Sequence, residues 1–153
     1  MTVEIHNFDP AMAPAGKTVV RVMFDSDYEY WRRLREDEAA YAAEKDRIAD
    51  AVVLALEKRF PGLSAQVEMR DVATPLTFRR YTGNWQGSFE GWQITPANWK
   101  KQIKKTLPGI EDFYMCGQWV EPGGGIPAVA MSGRNVIQII CKKDKKKFAT
   151  TRR

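Results

Sequence analysis

The residues best suited to chemistry lie together near the end of the chain. Gly123, Gly124 and Gly125 follow an apolar, aromatic-ended run, FYMCGQW, and precede AVAMSGRNVIQIICKK. In that last piece Val129, Val136, Ile137, Ile140 and Cys141 share one helical side, while Ala130, Ser132 and Gly133 leave a stripe of small residues. The predicted local order is strand, glycine-rich turn, helix. A helix N-terminus offers unpaired N–H groups and the positive end of the macrodipole, which favour anions and polar ligand oxygens. Glycine adds close backbone approach, with no Cβ in the way. The run lacks the Gly-Lys-Ser/Thr ending of a phosphate-binding Walker loop. Nor is it the GxGxxG dinucleotide fingerprint, and no acidic residue stands about 20 positions later to hold a ribose. Ligand binding and a tight structural turn both remain open on this pattern. Gly133 inside a helix costs up to about 1 kcal/mol and calls for a close-packing reason.

Other reactive side chains are sparse. His6 is the only histidine and lies in a turn-rich terminus, where a solvated surface residue is expected. Cys116 and Cys141 sit in apolar runs and read as buried small hydrophobes. Two cysteines and one histidine make neither a disulfide framework nor a His-based metal centre, so no metal is expected. Glu90 and Glu121 are the polar residues nearest the glycine turn, and neither receives a role. No catalytic acid or base is identified.

Several elements must position that turn. Thr18 to Phe24, TVVRVMF, is rich in β-branched residues and reads as a strand, preceded by the turn-forming DPAMAPAG. From about Glu36 to Phe60 apolar residues recur at spacings of three and four, a long helix stopped by Pro61-Gly62. Gln66 to Ala73 alternates imperfectly and reads as a second strand. Thr74-Pro75 is a helix start, and LTFRRYT should end at Gly83 as a C′ glycine. Thr95-Pro96 opens a second short predicted helix, ANWKKQIKKTL, closed by Pro108-Gly109. Between them GNWQGSFEGW, Gly83 to Trp92, is too glycine-rich for a strand interior. The fold class expected is α+β.

Composition bounds the rest. The chain of 153 residues holds 24 Lys+Arg against 19 Asp+Glu, a net charge of +5. Lys142, Lys143, Lys145, Lys146, Lys147, Arg152 and Arg153 against Asp144 give the tail +6, so the other 141 residues sum to −1. A charge block of this kind is usually a solvated terminus. It would also attract an anionic membrane surface. A nucleic-acid-binding module, built from Asn98 to Lys105 and the tail, is the weakest alternative, because basic residues are not spread over the body. No apolar run approaches the roughly 20 residues of a membrane span, and no leading stretch reads as a signal peptide. A cytoplasmic protein with peripheral membrane contact is the expectation.

The stretches TPLTFRRYTGNWQGSFEGW and LPGIEDFYMCGQWVEPGGGIPAVAMSGRNVIQIICKKD resemble the C-terminal end of FAD-dependent oxidoreductases of the phytoene desaturase, carotenoid isomerase and retinol saturase family. The match is close from Thr74 to about Asp144 and looser from Thr18 to Ala73. The resemblance implies a Rossmann-like, FAD-domain end to the chain, with Gly117, Gln118, Gly123, Gly124, Gly125, Ile126 and Pro127 bordering FAD. Ser132 and Gly133 would provide close helix packing. Many related flavoproteins carry an acid where this chain has the neutral Gln118. Tyr81, Trp85, Phe89, Trp92 and Trp119 would line an apolar substrate tunnel, or else serve as core and loop anchors. The implied chemistry is hydride transfer between FAD and a C–C bond of an apolar, polyene-like substrate. The implied division is 1–112 as part of a substrate domain, 113–144 as the FAD-contacting end and 145–153 as a basic tail. Family members are longer and hold the ADP half of FAD on an N-terminal GxGxxG unit, so a C-terminal fragment, inactive alone, is expected. Its partner would be the missing FAD-domain half or a second copy. The alternative is a non-catalytic interaction domain that assembles with a partner chain.

Overall fold

The computed structural model describes residues 1–150. It is α+β: four α-helices and a two-stranded sheet among the described residues. Packing divides the chain into two units, Met1–Ser88 and Phe89–Arg153.

In the first unit β1 (Thr2–Ile5) pairs antiparallel with β2 (Val20–Met23), Glu4 opposite Arg21 and Val3 opposite Val22. Arg21 donates to the Glu4 carboxylate across the pair, the opposite-charge arrangement that favours a register. The expected strand at 18–24 is therefore present over a shorter range. Its partner β1 lies in the opening residues, which carry no clear strand signal. His6 is only 12% exposed at its side chain, beside Glu4 and the Phe8 ring, and so is not the solvated residue expected.

Three helices follow. Asp27 caps α1 (Tyr28–Leu34) by accepting from Tyr30 N–H at 2.6 Å. Trp31 is 3% exposed, donates to Ser26 Oγ at 2.7 Å and meets the Tyr41 ring edge-on. The long helix α2 (Glu38–Arg59) is closed at both ends by its own neighbourhood. Asp37 accepts from Ala39 and Ala40 N–H, and Glu57 accepts from Gly62 and Ser64 N–H beyond the end. Those last two bonds, from Ser64 foremost, hold the Glu57 carboxyl below the usual carboxylate range. Thr74, 1% exposed, shares a hydrogen bond with Tyr41 Oη at 2.7 Å and opens α3 (Pro75–Thr82), which ends on left-handed Gly83.

The segment 67–73 is not the predicted strand. A single 3-10 turn at Ser64–Gln66 precedes it, and no ladder partner joins it among the described residues. Alternation alone cannot make a strand where backbone groups find no neighbouring edge.

The second unit centres on α4 (Gly125–Lys143). Neither other element expected there forms. Thr95-Pro96 yields only isolated turns, with Asn98 accepting from Thr95 N–H and donating to Gln93 C=O. Such side-chain bonds offer the backbone an alternative to a helix. Like charges four apart, Lys100 with Lys104 and Lys101 with Lys105, oppose continuation as well. Phe113–Trp119 is coil with one bridge, Thr106 opposite Tyr114, and Met115 N–H donates to Lys105 C=O. Gly117 stands at φ +108° and sends its N–H to a serine hydroxyl, which removes it from any ladder. Thus the glycine turn and helix are present, and the strand before them is not.

At the tail, Lys143 bonds Asp112 and Lys146 lies 3.6 Å from Asp144. Arg152 and Arg153 lie outside the described residues. Among those described, no helix is long and apolar enough to cross a membrane.

Candidate functional site

The glycine turn is built from three consecutive residues at positive φ: Gly123 at +112°, Gly124 at +61° and Gly125 at +75°. L side chains rarely adopt that conformation, so the run can fold this way only as glycine. It delivers the chain into α4, whose N-cap, Gly124, has no side chain with which to close the helix start. The first turn of α4 contains no acid of its own, and Pro127 lacks an N–H.

What faces this start is Glu90. A Cβ placed on Gly124 would overlap the Glu90 carboxylate and stand 2.9 Å from its Cβ; one on Gly125 would stand 3.8 Å from Oε1. The acid is held there by its neighbours. Gly91 passes so close to Gln118 that a Cβ on it would overlap the Gln118 carbonyl. Trp92 donates from Nε1 to Trp119 C=O at 3.0 Å, and the two indoles meet edge to face at 5.3 Å. Residues 90–92 are thereby laid along 118–124.

On the other side of the turn Gly117 N–H donates to Ser132 Oγ at 3.0 Å, and Ser132 is fully buried. Gly117 C=O accepts from Val120 and Glu121 N–H, folding 117–121 back on itself. Glu121 Oε2 is screened from solvent and makes no well-aligned hydrogen bond. The Lys105 ammonium, 2.6 Å away, balances its charge.

Of the predicted cofactor-bordering residues, Gly123 and Gly124 form the turn and Gly125, Ile126 and Pro127 the start of α4, with Ile126 83% exposed, while Gly117 and Gln118 lie in the separate turn at 117–121. Close packing falls to Ser132, not to Gly133, where a Cβ would meet nothing within 4 Å. Of the predicted aromatics, Trp92 and Trp119 touch, and Phe89 is exposed in the same unit. Tyr81 and Trp85 belong to the first unit. There Tyr81 borders a groove of about 580 Å³ whose walls include Arg35, Lys45 and Arg80. Cys116 is exposed, contrary to expectation, and Cys141 is half-buried. No group of three or more His, Cys, Asp or Glu side chains is placed to hold a metal ion among the described residues. The part that sequence reasoning left without a role is Glu90; its only signal was its place between two glycine-aromatic steps.

The chain is 32% identical over 127 residues to prolycopene isomerase, chloroplastic, of Daucus carota, a match covering 82% of this chain and 20% of that protein. It is 28% identical over 135 residues to phytoene desaturase (lycopene-forming) of a Paracoccus species, 86% of this chain and 26% of the relative. This chain is related to the carotenoid desaturase and isomerase family. A further match is pyridine nucleotide-disulfide oxidoreductase domain-containing protein 2 of Mus musculus, 30% identical over 139 residues, 88% of this chain and 23% of the other. The chain spans about a fifth to a quarter of the length of these relatives. No family model matches it, and no solved structure matches it.

Proposed function

We propose that this chain is the flavin-contacting C-terminal part of an oxidoreductase acting on C–C bonds of a long, apolar, polyene-like substrate. The observation that carries the reading is the glycine turn at the start of α4. It opens a helix with no side-chain cap and no acid in its first turn, the arrangement that suits a group with anionic oxygens. Relatedness to a prolycopene isomerase and a phytoene desaturase supplies the substrate class.

Bound FAD would supply hydride transfer at a C–C bond. This chain's part is to bind and to exclude water. Gly123, Gly124, Gly125 and Ile126 would offer backbone N–H groups and Gln118 a neutral amide, Gly117 would border the group through its bare Cα because its N–H is taken by Ser132 Oγ, and Pro127 fixes the entry of the chain into α4. Trp92, Trp119 and Phe89 would supply an apolar wall, with Tyr81 and Trp85 assigned to the lining on the resemblance alone. No residue is assigned as acid or base. The ADP half of the cofactor would be held by another domain, so the chain alone is expected to bind FAD weakly and to be inactive.

Amide NMR of the full chain titrated with millimolar FAD tests this. Shifts concentrated at residues 117–128 are expected. Shifts scattered over both units, or none, would overturn the reading.

A second reading draws on exposure in the same unit. Ile126, Met131, Ile137 and Ile139 of α4, with Trp99 and Ile110, all face solvent. A surface of this kind suits burial against a partner, the missing flavin-domain half or a second copy. Sedimentation across a concentration series separates self-association from a monomer awaiting a different partner.

A further inference from the structure

The first unit holds a groove of about 580 Å³ that the flavin reading does not need. Its walls come from Arg35 just beyond α1, the first two turns of α2, residues 71–72 and much of α3. Clefts of roughly 300–1,000 Å³ are the usual size for small organic ligands. Ala42, Val72 and Leu76 give this one an apolar lining, and Tyr41 and Tyr81 add two aromatic rings.

The charges around that lining are unevenly placed. Arg35, Lys45 and Arg80 stand against Glu38 and Asp71, so one positive charge is left over. Both acids pair from the solvent side. Asp71 is 88% exposed at its side chain where Lys45 is 29%, at 3.9 Å, and Glu38 is likewise the more exposed partner of Arg35. Exposed pairs of this kind are weak. Arg80 makes no ion pair among the described residues; its guanidinium lies over the Tyr81 ring, 5.5 Å from the centroid. Arg35 lies over Tyr41 in the same way, at 5.2 Å. A guanidinium stacked on a ring keeps its N–H donors at its edge, and that planar fork matches a carboxylate.

We propose that this groove binds an aromatic carboxylate, its anionic group on the open edge of Arg80 and its flat body along Ala42, Val72 and Leu76. A single negative charge matches the one uncompensated cation, which a dianionic phosphate would exceed. An uncharged polyene offers these cations nothing, so the ligand differs from the substrate proposed above and the site stands independently of that reading. Tyr81 enters here by its position, not by resemblance.

Amide NMR of the full chain is followed during titration with naphthoate. Naphthalenemethanol supplies the same body without the charge, and acetate the charge without the body. Shifts centred on residues 41–45 and 72–81 are expected, with naphthoate bound at least tenfold more tightly than either of the other two. Arg80→Gln removes the fork from an exposed side chain that holds no ion pair, and thermal melting checks that the variant is folded. It is expected to weaken naphthoate about tenfold, the scale of one charge-assisted hydrogen-bonded pair. Arg33→Gln, the same charge change on α1 outside the groove, is expected to leave the affinity unchanged. Naphthalenemethanol or acetate binding as tightly as naphthoate would overturn the proposal, as would equal weakening in the two variants. Tighter binding of naphthyl phosphate than of naphthoate would overturn the choice of a carboxylate. Naphthoate shifts centred on 117–128, or none in the groove, would overturn the site and leave the flavin titration to be judged by itself. If Arg80→Gln does not fold, Arg80→Lys, which keeps the charge and loses the fork, must still weaken naphthoate, and unchanged affinity there overturns the proposal.

Discussion

The two long helices finish in opposite ways. α2 is self-contained: Asp37 closes its start, Glu57 gathers the N–H groups beyond its end, and Ala49 and Leu56 are buried. By contrast, α4 starts on glycines with no side-chain cap, has Glu90 lying against Gly124, and leaves Ile126, Met131, Ile137 and Ile139 in solvent. A helix whose loose ends are tied by its immediate neighbours serves the fold. One whose start is bare and whose apolar side chains are exposed suits the contact proposed above.

The sharpest way to break the contrast is a pair of glycine substitutions. Gly124→Ala places a Cβ where Glu90 sits and forces φ +61° on a residue that resists it, at about 1–3 kcal/mol from backbone strain alone. Gly62→Ala beyond α2 also has positive φ but open space around it, so its loss should be smaller. Urea melts of both check the order, and equal losses would erase the distinction. Next is Ser132→Ala, which leaves the Gly117 N–H without its acceptor against a fully buried position, at about 1–3 kcal/mol. It should also disturb the amide signals of 117–121. Asp37→Ala removes the cap of α2 at about 1 kcal/mol and should leave signals at 123–127 where they are. The smallest effect concerns acid stability. Arg47 first, then Tyr30, holds the Glu44 carboxyl down at about 2 from an ordinary 4.5. Its folded pKa is depressed, so its stabilisation is present above 4.5 and is lost as pH falls from 4.5 toward 2. Glu44→Gln should flatten that part of the acid melting curve, and an unaltered slope would remove the contribution.

How much of this was legible in the sequence follows from how local each signal is. The ends of α2 and α3 were readable because Pro61-Gly62, Thr74-Pro75 and Gly83 act on backbone within a turn of themselves. The glycine turn and α4 were readable for the same reason. β1 was not, since Thr2–Ile5 becomes a strand only through Val20–Met23. The strands expected at 66–73 and 113–119 failed in the converse way: suitable residues without a paired edge. Glu90 was noticed but given no role, because nothing in its own neighbourhood links it to Gly124.

The Ser132–Gly117 bond has a mechanical consequence. Ser132 and Lys143 lie roughly three turns apart on α4 and so on nearly the same side. Each is fastened to the loop that precedes the helix, one at Gly117 and the other at Asp112. Rotation of α4 about its axis would therefore strain both fastenings together, the buried serine bond more than the solvent-exposed ion pair.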